Sequence, residues 1–377
     1  MNGIYIHIPF CKQACHYCDF HFSTSMKKKE DMIAALCHEI KLRKSEVCGD
    51  EVIQTIYFGG GTPTVLSVEE LSGIITTIDH HYQIAKDAEI TVEANPDDLD
   101  KEKIIALSKS KVNRLSIGIQ SFFEEDLTMM NRAHNAKEAI DCLSFASQHF
   151  ENITIDLIYG IPGMSIKRWK QNIQMALDFN IPHISCYALT VEPNTPLPKL
   201  IDKGLIPEVD DSLAQQHFKI LTETLNKEGF VHYELSNFGK PGFFSKNNTA
   251  YWQGKHYLGI GPSAHSYNGK QRSWNINNNT KYIQALQQDA LPKEVENLSL
   301  TDKYNEYVMT GLRTIWGISL QKIEIEFGTT NKEYLLKQAQ KHIDASLVFL
   351  DNDTLSVTQK GKFLCDGIAS DLFLLHL

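Results

Sequence analysis

Cys11, Cys15 and Cys18 follow one another as Cys-x3-Cys-x2-Cys, three thiols within eight residues. Thiols so closely spaced in a cysteine-poor chain point to a metal rather than to a disulfide framework. Three thiolates can hold three corners of a [4Fe-4S] cubane and leave the fourth iron without a protein ligand, open to bind and reduce a second molecule. Joined by His16 or His21, the same cysteines would instead make a closed tetrahedral zinc site, the core of a zinc-stabilised binding module. Cys37, Cys48, Cys142, Cys186 and Cys365 share no ligand spacing and read as small hydrophobic residues.

Other residues carry usable chemistry further along. Gly59, Gly60 and Gly61, followed by Thr62 and Pro63, let the backbone approach a ligand and point its N–H groups at an anion. No Gly-Lys-Ser/Thr follows, so this is not a P-loop. Glu93 and Asp156 fall at strand ends, where a carboxylate suits ribose hydroxyls or an amino group, and equally suits a plain solvated terminus. Gln120 ends another strand, and Arg132, twelve residues later, has the reach for a bidentate carboxylate contact. His7 lies inside the first strand, where a core histidine bonded to backbone is as good a reading as a catalytic one.

These residues need a scaffold, and the β-rich runs supply it. Runs at 4–8, 55–58, 90–93, 114–119, 153–158 and 183–188 alternate with helical stretches at 28–44, 100–110, 136–148 and 165–179. Ser67 and Glu70 form a capping box that opens a further helix. Six βα units predict an α/β fold with parallel strands and right-handed crossovers, either doubly wound or a partial (β/α)6 barrel, with its site at the strands' C-terminal ends. The cysteine segment follows the first strand directly, on a loop at that end.

The pattern changes after residue 191: Pro193, Pro196, Pro198 and Pro207, a helix over 210–228, then Gly-, Asn- and aromatic-rich sequence to 279. From 301 helices return, and runs at 347–350 and 354–357 predict a hairpin turning on Asn352. The expected division is a core over 1–235, a connecting region over 236–300 and a small α+β C-terminal domain over 301–377.

At 377 residues, 42% hydrophobic and 22% charged, the chain can bury a large core. A net charge of -9 excludes a nucleic-acid surface as its main business, and the run of lysines at 27–29 is short enough to be a solvated helix start. The start lacks the basic flank and apolar run of a signal peptide, and no segment approaches the roughly 18 apolar residues of a membrane span. A cytoplasmic protein is expected.

The cysteine spacing within Tyr5-Ile-His-Ile-Pro-Phe-Cys11, with Tyr17 before the last cysteine, resembles the radical S-adenosylmethionine superfamily, in the branch of the oxygen-independent coproporphyrinogen III oxidases of porphyrin biosynthesis. The likeness continues through Gly59-Gly-Gly-Thr62-Pro-Thr64, Val92-Glu93-Ala-Asn95-Pro96, Ser116-Ile-Gly118-Ile-Gln120-Ser121-Phe122, Arg132, Asp156-Leu-Ile-Tyr-Gly160-Ile-Pro162-Gly163 and Gly259-Ile-Gly261. It covers most of the chain, and several motifs in one order are far more specific than any single one. The resemblance implies a partial (β/α)6 TIM-like barrel, a [4Fe-4S] cluster on Cys11, Cys15 and Cys18, and S-adenosylmethionine lined by Tyr5, Tyr17, Gly60, Gly61, Thr62, Glu93, Gln120, Arg132, Asp156 and Ala188.

Within that branch the oxidase pattern has a further cysteine two positions beyond the cluster, where this chain has Phe20, and an N-terminal extension, whereas here the first strand begins at about Gly3. Both departures resemble the heme chaperones of the branch, which bind heme as cargo and pass it to acceptor proteins without the decarboxylation; the oxidase is the alternative. The chaperones' His-Asn-x-x-Tyr-Trp motif appears here as Asn247-Asn-Thr-Ala-Tyr251-Trp252, with Asn247 in the histidine's place. Asn is not a normal heme ligand, so Tyr251, His256 and His265 become the candidates. The expected partners are heme or porphyrin, a heme acceptor and an electron donor, for a monomer or homodimer.

Overall fold

The period-two alternation of six strands decides how the layers form. In this computed structural model, which describes residues 3–47 and 51–375, β1 (Gly3–Ile8), β2 (Ile53–Gly60), β3 (Ile84–Ala94), β4 (Arg114–Gln120), β5 (Ile153–Tyr159) and β6 (His183–Ala188) pair in parallel and in chain order. Cys48 lies outside the described residues. Ile56 stands opposite Ile90, Val92 opposite Leu115 and Ile117 opposite Ile155, and all are buried. Together with Leu36, Ile74, Leu107, Leu143 and Ile173 of the intervening helices they make one core, since successive strand side chains point to opposite faces and only the apolar face takes the helices.

The opposite, concave face is polar. Tyr5 pairs with Tyr57, Thr91 with Arg114, Glu93 with Ser116, Thr154 with His183 and Asp156 with Ser185. Side chains satisfy one another across it: Thr154 Oγ1 lies 2.6 Å from His183 Nδ1, and the Tyr57 hydroxyl donates to Glu93 Oε1 at 2.8 Å. A sheet curled part-way into a barrel is what lets polar groups from separate strands meet in this way.

The sheet is extended at both sides. β6 pairs antiparallel with β8 (Asn237–Gly239), and β8 with β7 (Val231–Glu234). At the other side β1 pairs in parallel with β9 (Tyr257–Ile260), followed by antiparallel β10 (His265–Tyr267), β11 (Gln271–Asn275) and β12 (Lys293–Asn297), so β1 to β12 form one open twelve-stranded sheet. Residues 236–300, read from sequence as a connector, therefore supply five strands. Runs of three to five residues hold too few alternations to show a period.

The helix Lys246–Trp252 enters where the barrel stays open. Glu89, midway along β3, accepts the backbone N–H groups of Lys246 at 3.0 Å and Asn247 at 3.1 Å, satisfying donors that a helix N-terminus leaves free. Beyond it, the helix Leu300–Leu312 and the antiparallel strands β13 (Ile318–Ser319), β14 (Val348–Asp351) and β15 (Thr354–Val357) surround a second apolar core around Tyr304, Leu312, Ile323 and Leu355. Asn352, at φ +50°, turns the β14–β15 hairpin. Among the described residues no helix is long and apolar enough to cross a membrane.

Candidate functional site

The cysteine loop leaves β1 and is closed at its base by two backbone bonds, Cys11 N–H to Ser23 O (3.1 Å) and Ser23 N–H to Pro9 O (3.0 Å). Its far side is pinned to the segment after β4: Asn131 donates to Ala14 O at 2.7 Å and Gln13 to Asn131 O at 2.9 Å. So held, Cys11, Cys15 and Cys18 line one cavity of about 710 Å³ at the C-terminal ends of the parallel strands.

A chain of hydrogen bonds joins two of the sulfurs. Arg132 Nη1 donates to Cys15 Sγ (3.4 Å) and Nη2 to Asn95 Oδ1 (2.5 Å); Asn95 Nδ2 donates to Thr62 Oγ1 (3.1 Å), which donates to Cys11 Sγ (3.5 Å). Arg132 also reaches Gly118 O at 3.0 Å and the Tyr17 hydroxyl at 3.4 Å, while its buried Nε has no partner. Burial pushes the Cys11 thiol up to about 11 and raises the Cys18 thiol as well, so a metal bound there would have to displace their protons. Three half-buried thiols with donors aimed at two of them fit a cluster. The histidines of the zinc alternative are engaged elsewhere: His16 Nδ1 with Met129 O at 2.9 Å, His21 Nε2 with Asn279 Oδ1 at 2.7 Å.

Across the cavity stand Glu93 and Asp156. Burial pushes Glu93 up to about 7 and Asp156 up to about 6, with Glu93 raised further by Asp156 and both partly relieved by Arg114. A pair of half-buried carboxyls held this high is suited to an ammonium group and to hydroxyls, the donors that a ribose and an amino acid present. Gly118 lies beneath this wall: a Cβ there would stand 2.8 Å from Gln120 Nε2 and 3.2 Å from Arg132 Nη2. Gln120 itself adopts φ +64°, after a register shift in its pairing with β5, and turns into the cavity.

Gly60, Gly61, Thr62, Tyr17 and Ala188 also line the cavity. Tyr5 does not: it stacks on Tyr57 at 6.0 Å and touches His7 Nδ1 at 3.4 Å, beneath Gly59. His7 Nε2 is bonded to His21 O, and burial lowers its pKa to about 4, so it is a neutral histidine held within β1 rather than a lining residue. Arg132, expected to be free for a carboxylate, is largely spent on protein partners.

Several lining residues escape sequence reasoning. Asn95 lies within a quoted motif but has no chemical type that singles it out. Tyr57, which holds Glu93 without lining the cavity, is legible only through its register. Arg313, Lys362, Phe363 and Asp366 come from the far C-terminal segment, and no local pattern connects them to the cysteines.

The heme candidates lie elsewhere, on the face of β9–β11 and its neighbouring helix. Tyr251, 45% exposed, packs on Tyr257 at 5.6 Å; His256 meets Tyr267 edge-on at 6.2 Å; His265 stacks on Trp274 at 5.9 Å. None lines the cysteine cavity. Asn247 faces the barrel floor, where its Oδ1 accepts from Thr55 at 3.1 Å.

Comparison with known proteins gives a concordant picture. The radical SAM superfamily matches residues 5–185, and the HemN C-terminal domain matches 298–364. The heme chaperone HemW of Bacillus subtilis (strain 168) is 32% identical over 368 residues, 97% of each chain. That of Lactococcus lactis subsp. lactis (strain IL1403) is 34% identical over 378 residues, covering 97% of this chain and 98% of the relative. Among solved structures, coproporphyrinogen III oxidase (HemN) from Escherichia coli, a radical SAM enzyme, superposes with a TM-score of 0.85 at 23% identity, over 99% of this chain and 90% of that one, and shares the fold.

Proposed function

Because this chain belongs to the family of the heme chaperone HemW, within the radical S-adenosylmethionine superfamily, we propose that it binds heme and a [4Fe-4S] cluster with S-adenosylmethionine and delivers the heme to acceptor proteins. When bound, such a cluster supplies one electron at an iron that carries no protein ligand.

The chain's own residues do the rest. Cys11, Cys15 and Cys18 hold the cluster, and Thr62, Asn95 and Arg132 orient the sulfurs of Cys11 and Cys15 through their hydrogen bonds. Gly60 and Gly61 admit the cofactor's methionine end to the backbone, while Glu93 and Asp156 take its amino and ribose donors, with Tyr17, Gln120 and Ala188 completing the walls and Tyr5 supporting them from behind. Tyr251, His256 and His265 are the side chains offered to heme iron, on an aromatic face suited to a flat apolar ring.

The observation that carries the chaperone reading over the oxidase is near full-length likeness to the chaperones, with Phe20 exposed at the cavity mouth and no thiol at that position. On this reading the protein is cytoplasmic, acts as a monomer or homodimer, and meets a one-electron donor and an apo-haemoprotein.

Anaerobic reconstitution followed by heme titration and transfer to an apo-haemoprotein tests the proposal. The expected result is a retained Soret band that moves to the acceptor in a cluster-dependent way. No heme affinity, or conversion of coproporphyrinogen III to protoporphyrinogen, would overturn it.

A further inference from the structure

The cavity that holds the three cysteines is also lined by Arg313, Lys362, Phe363 and Asp366 of the C-terminal segment. Lys362 is half-buried there, and among the described residues its ammonium bonds only to His232: to Nδ1 at 2.8 Å and to the carbonyl oxygen at 3.4 Å. His232 is itself buried, stacked on Phe238 at 4.1 Å, and its Nε2 donates to Leu235 O at 3.0 Å. That bond leaves Nδ1 as an acceptor, and burial holds the imidazole neutral with a pKa near 3, so His232 orients the lysine without balancing its charge. No carboxylate of the described residues pairs with Lys362, and burial brings its pKa down to about 8 against the weak opposing influence of Cys365 and Glu234. An ammonium held half-dry with a donor to spare is a site for an anion.

Arg313 lines the same cavity. Its guanidinium pairs with Asp366 and lies 3.8 Å from Glu234, while its buried Nε has no partner. It also covers the Trp252 ring at 5.1 Å, so the same guanidinium touches the helix that carries Tyr251. Phe363, beside Lys362, packs on Phe218 at 5.7 Å and gives this part of the lining an apolar floor.

We infer that Lys362, positioned by His232 and flanked by Arg313, is the seat of a ligand carboxylate in this cavity, and that the carboxylate is a propionate of the bound tetrapyrrole. The inference rests on the heme reading above. A flat apolar ring with carboxylates on one edge matches aromatic surface bordered by an unpaired cation, whereas a neutral ring would leave Lys362 uncompensated.

Binding of heme and of heme dimethyl ester to the cluster-reconstituted full-length protein tests it, on the wild type and on the Lys362→Gln and Lys362→Arg variants. The wild type is expected to favour the free acid about tenfold or more, the worth of one hydrogen bond between charged groups. Lys362→Gln loses that preference and Lys362→Arg keeps it. Equal binding of acid and ester by the wild type overturns the inference without any variant having to fold. Lys362→Gln that weakens S-adenosylmethionine binding but keeps the preference for free acid also overturns it, because the carboxylate held would then be that of the methionine. No heme binding of any kind overturns the chaperone reading itself, and this inference with it.

Discussion

Asn95 accepts from Arg132 Nη2 at 2.5 Å while donating its own amide to Thr62, so one asparagine couples the donor on Cys15 to the donor on Cys11. Without it Thr62 Oγ1 is free to rotate, and the second arm of the Arg132 fork keeps only Gly118 O as its anchor. The asparagine is the joint, although it touches no sulfur.

Asn95→Ala is therefore expected to lower iron–sulfur occupancy on reconstitution, by roughly 10- to 100-fold in cluster affinity, with the fold retained. Iron and sulfide content against circular dichroism checks it. Full occupancy in the variant would show that the sulfurs need no such support.

Gly61→Ala places a Cβ 2.5 Å from the carbonyl oxygen of Phe10, a backbone atom at the root of the cysteine loop. Because backbone cannot swing aside, the loop must shift, at a cost of about 1–3 kcal/mol. The expected outcome is a lower melting temperature together with loss of the cluster's visible absorption. Gly73→Ala, on a helix with open space around it, serves as the control.

Glu93 carries a pH signature. Its folded pKa of about 7 lies above its ordinary value of 4.5, so between these values the unfolded chain gives up the proton first. Stability from this group is therefore lost as pH rises through that window and is level above it. Asp156, raised from 3.8 to about 6, acts in the same sense at lower pH. Relative to wild type, Glu93→Gln is expected to gain on the order of 1 kcal/mol between about pH 5 and about pH 7.5, a figure kept small because the carboxyl partly faces the open cavity. Thermal melts of the cluster-free protein at the two pH values decide it, and a pH-independent difference would contradict the assignment.

At the barrel floor, Glu89→Ala removes the acceptor for the amides of Lys246 and Asn247 and the carboxylate 4.0 Å from buried Arg114. Leaving those groups unpaired is expected to cost about 3 kcal/mol. The same change frees the helix that carries Tyr251, so the heme Soret band should shift while iron–sulfur content stays constant. Urea titration and the two spectra read these effects separately.

The residue order alone determines much of this protein. Cys11, Cys15 and Cys18 sit within one short loop, and their spacing survives any packing. The alternation of β1 through β6 is likewise local, since each strand carries its own apolar face, so six parallel units with a site at their C-terminal ends can be read before any contact is known. The positions of Glu93, Gln120 and Asp156 follow from those strands. Tyr5 shows the limit: it belongs to the right strand but faces Tyr57 from below the cavity, because its depth along the barrel depends on register with β2.

Tertiary structure decided the rest. Asn95 gains its meaning from Thr62 and Arg132, 33 and 37 residues away, and Lys362 from His232, 130 residues away. Strands β8 to β12 are too short to declare themselves, and they form because the edges of the parallel sheet offer them unpaired backbone groups. A hydrophobic period is written within one element. Which side chains from different elements meet in a cavity depends on strand order and on how far the sheet curls, and those emerge only when the whole core packs.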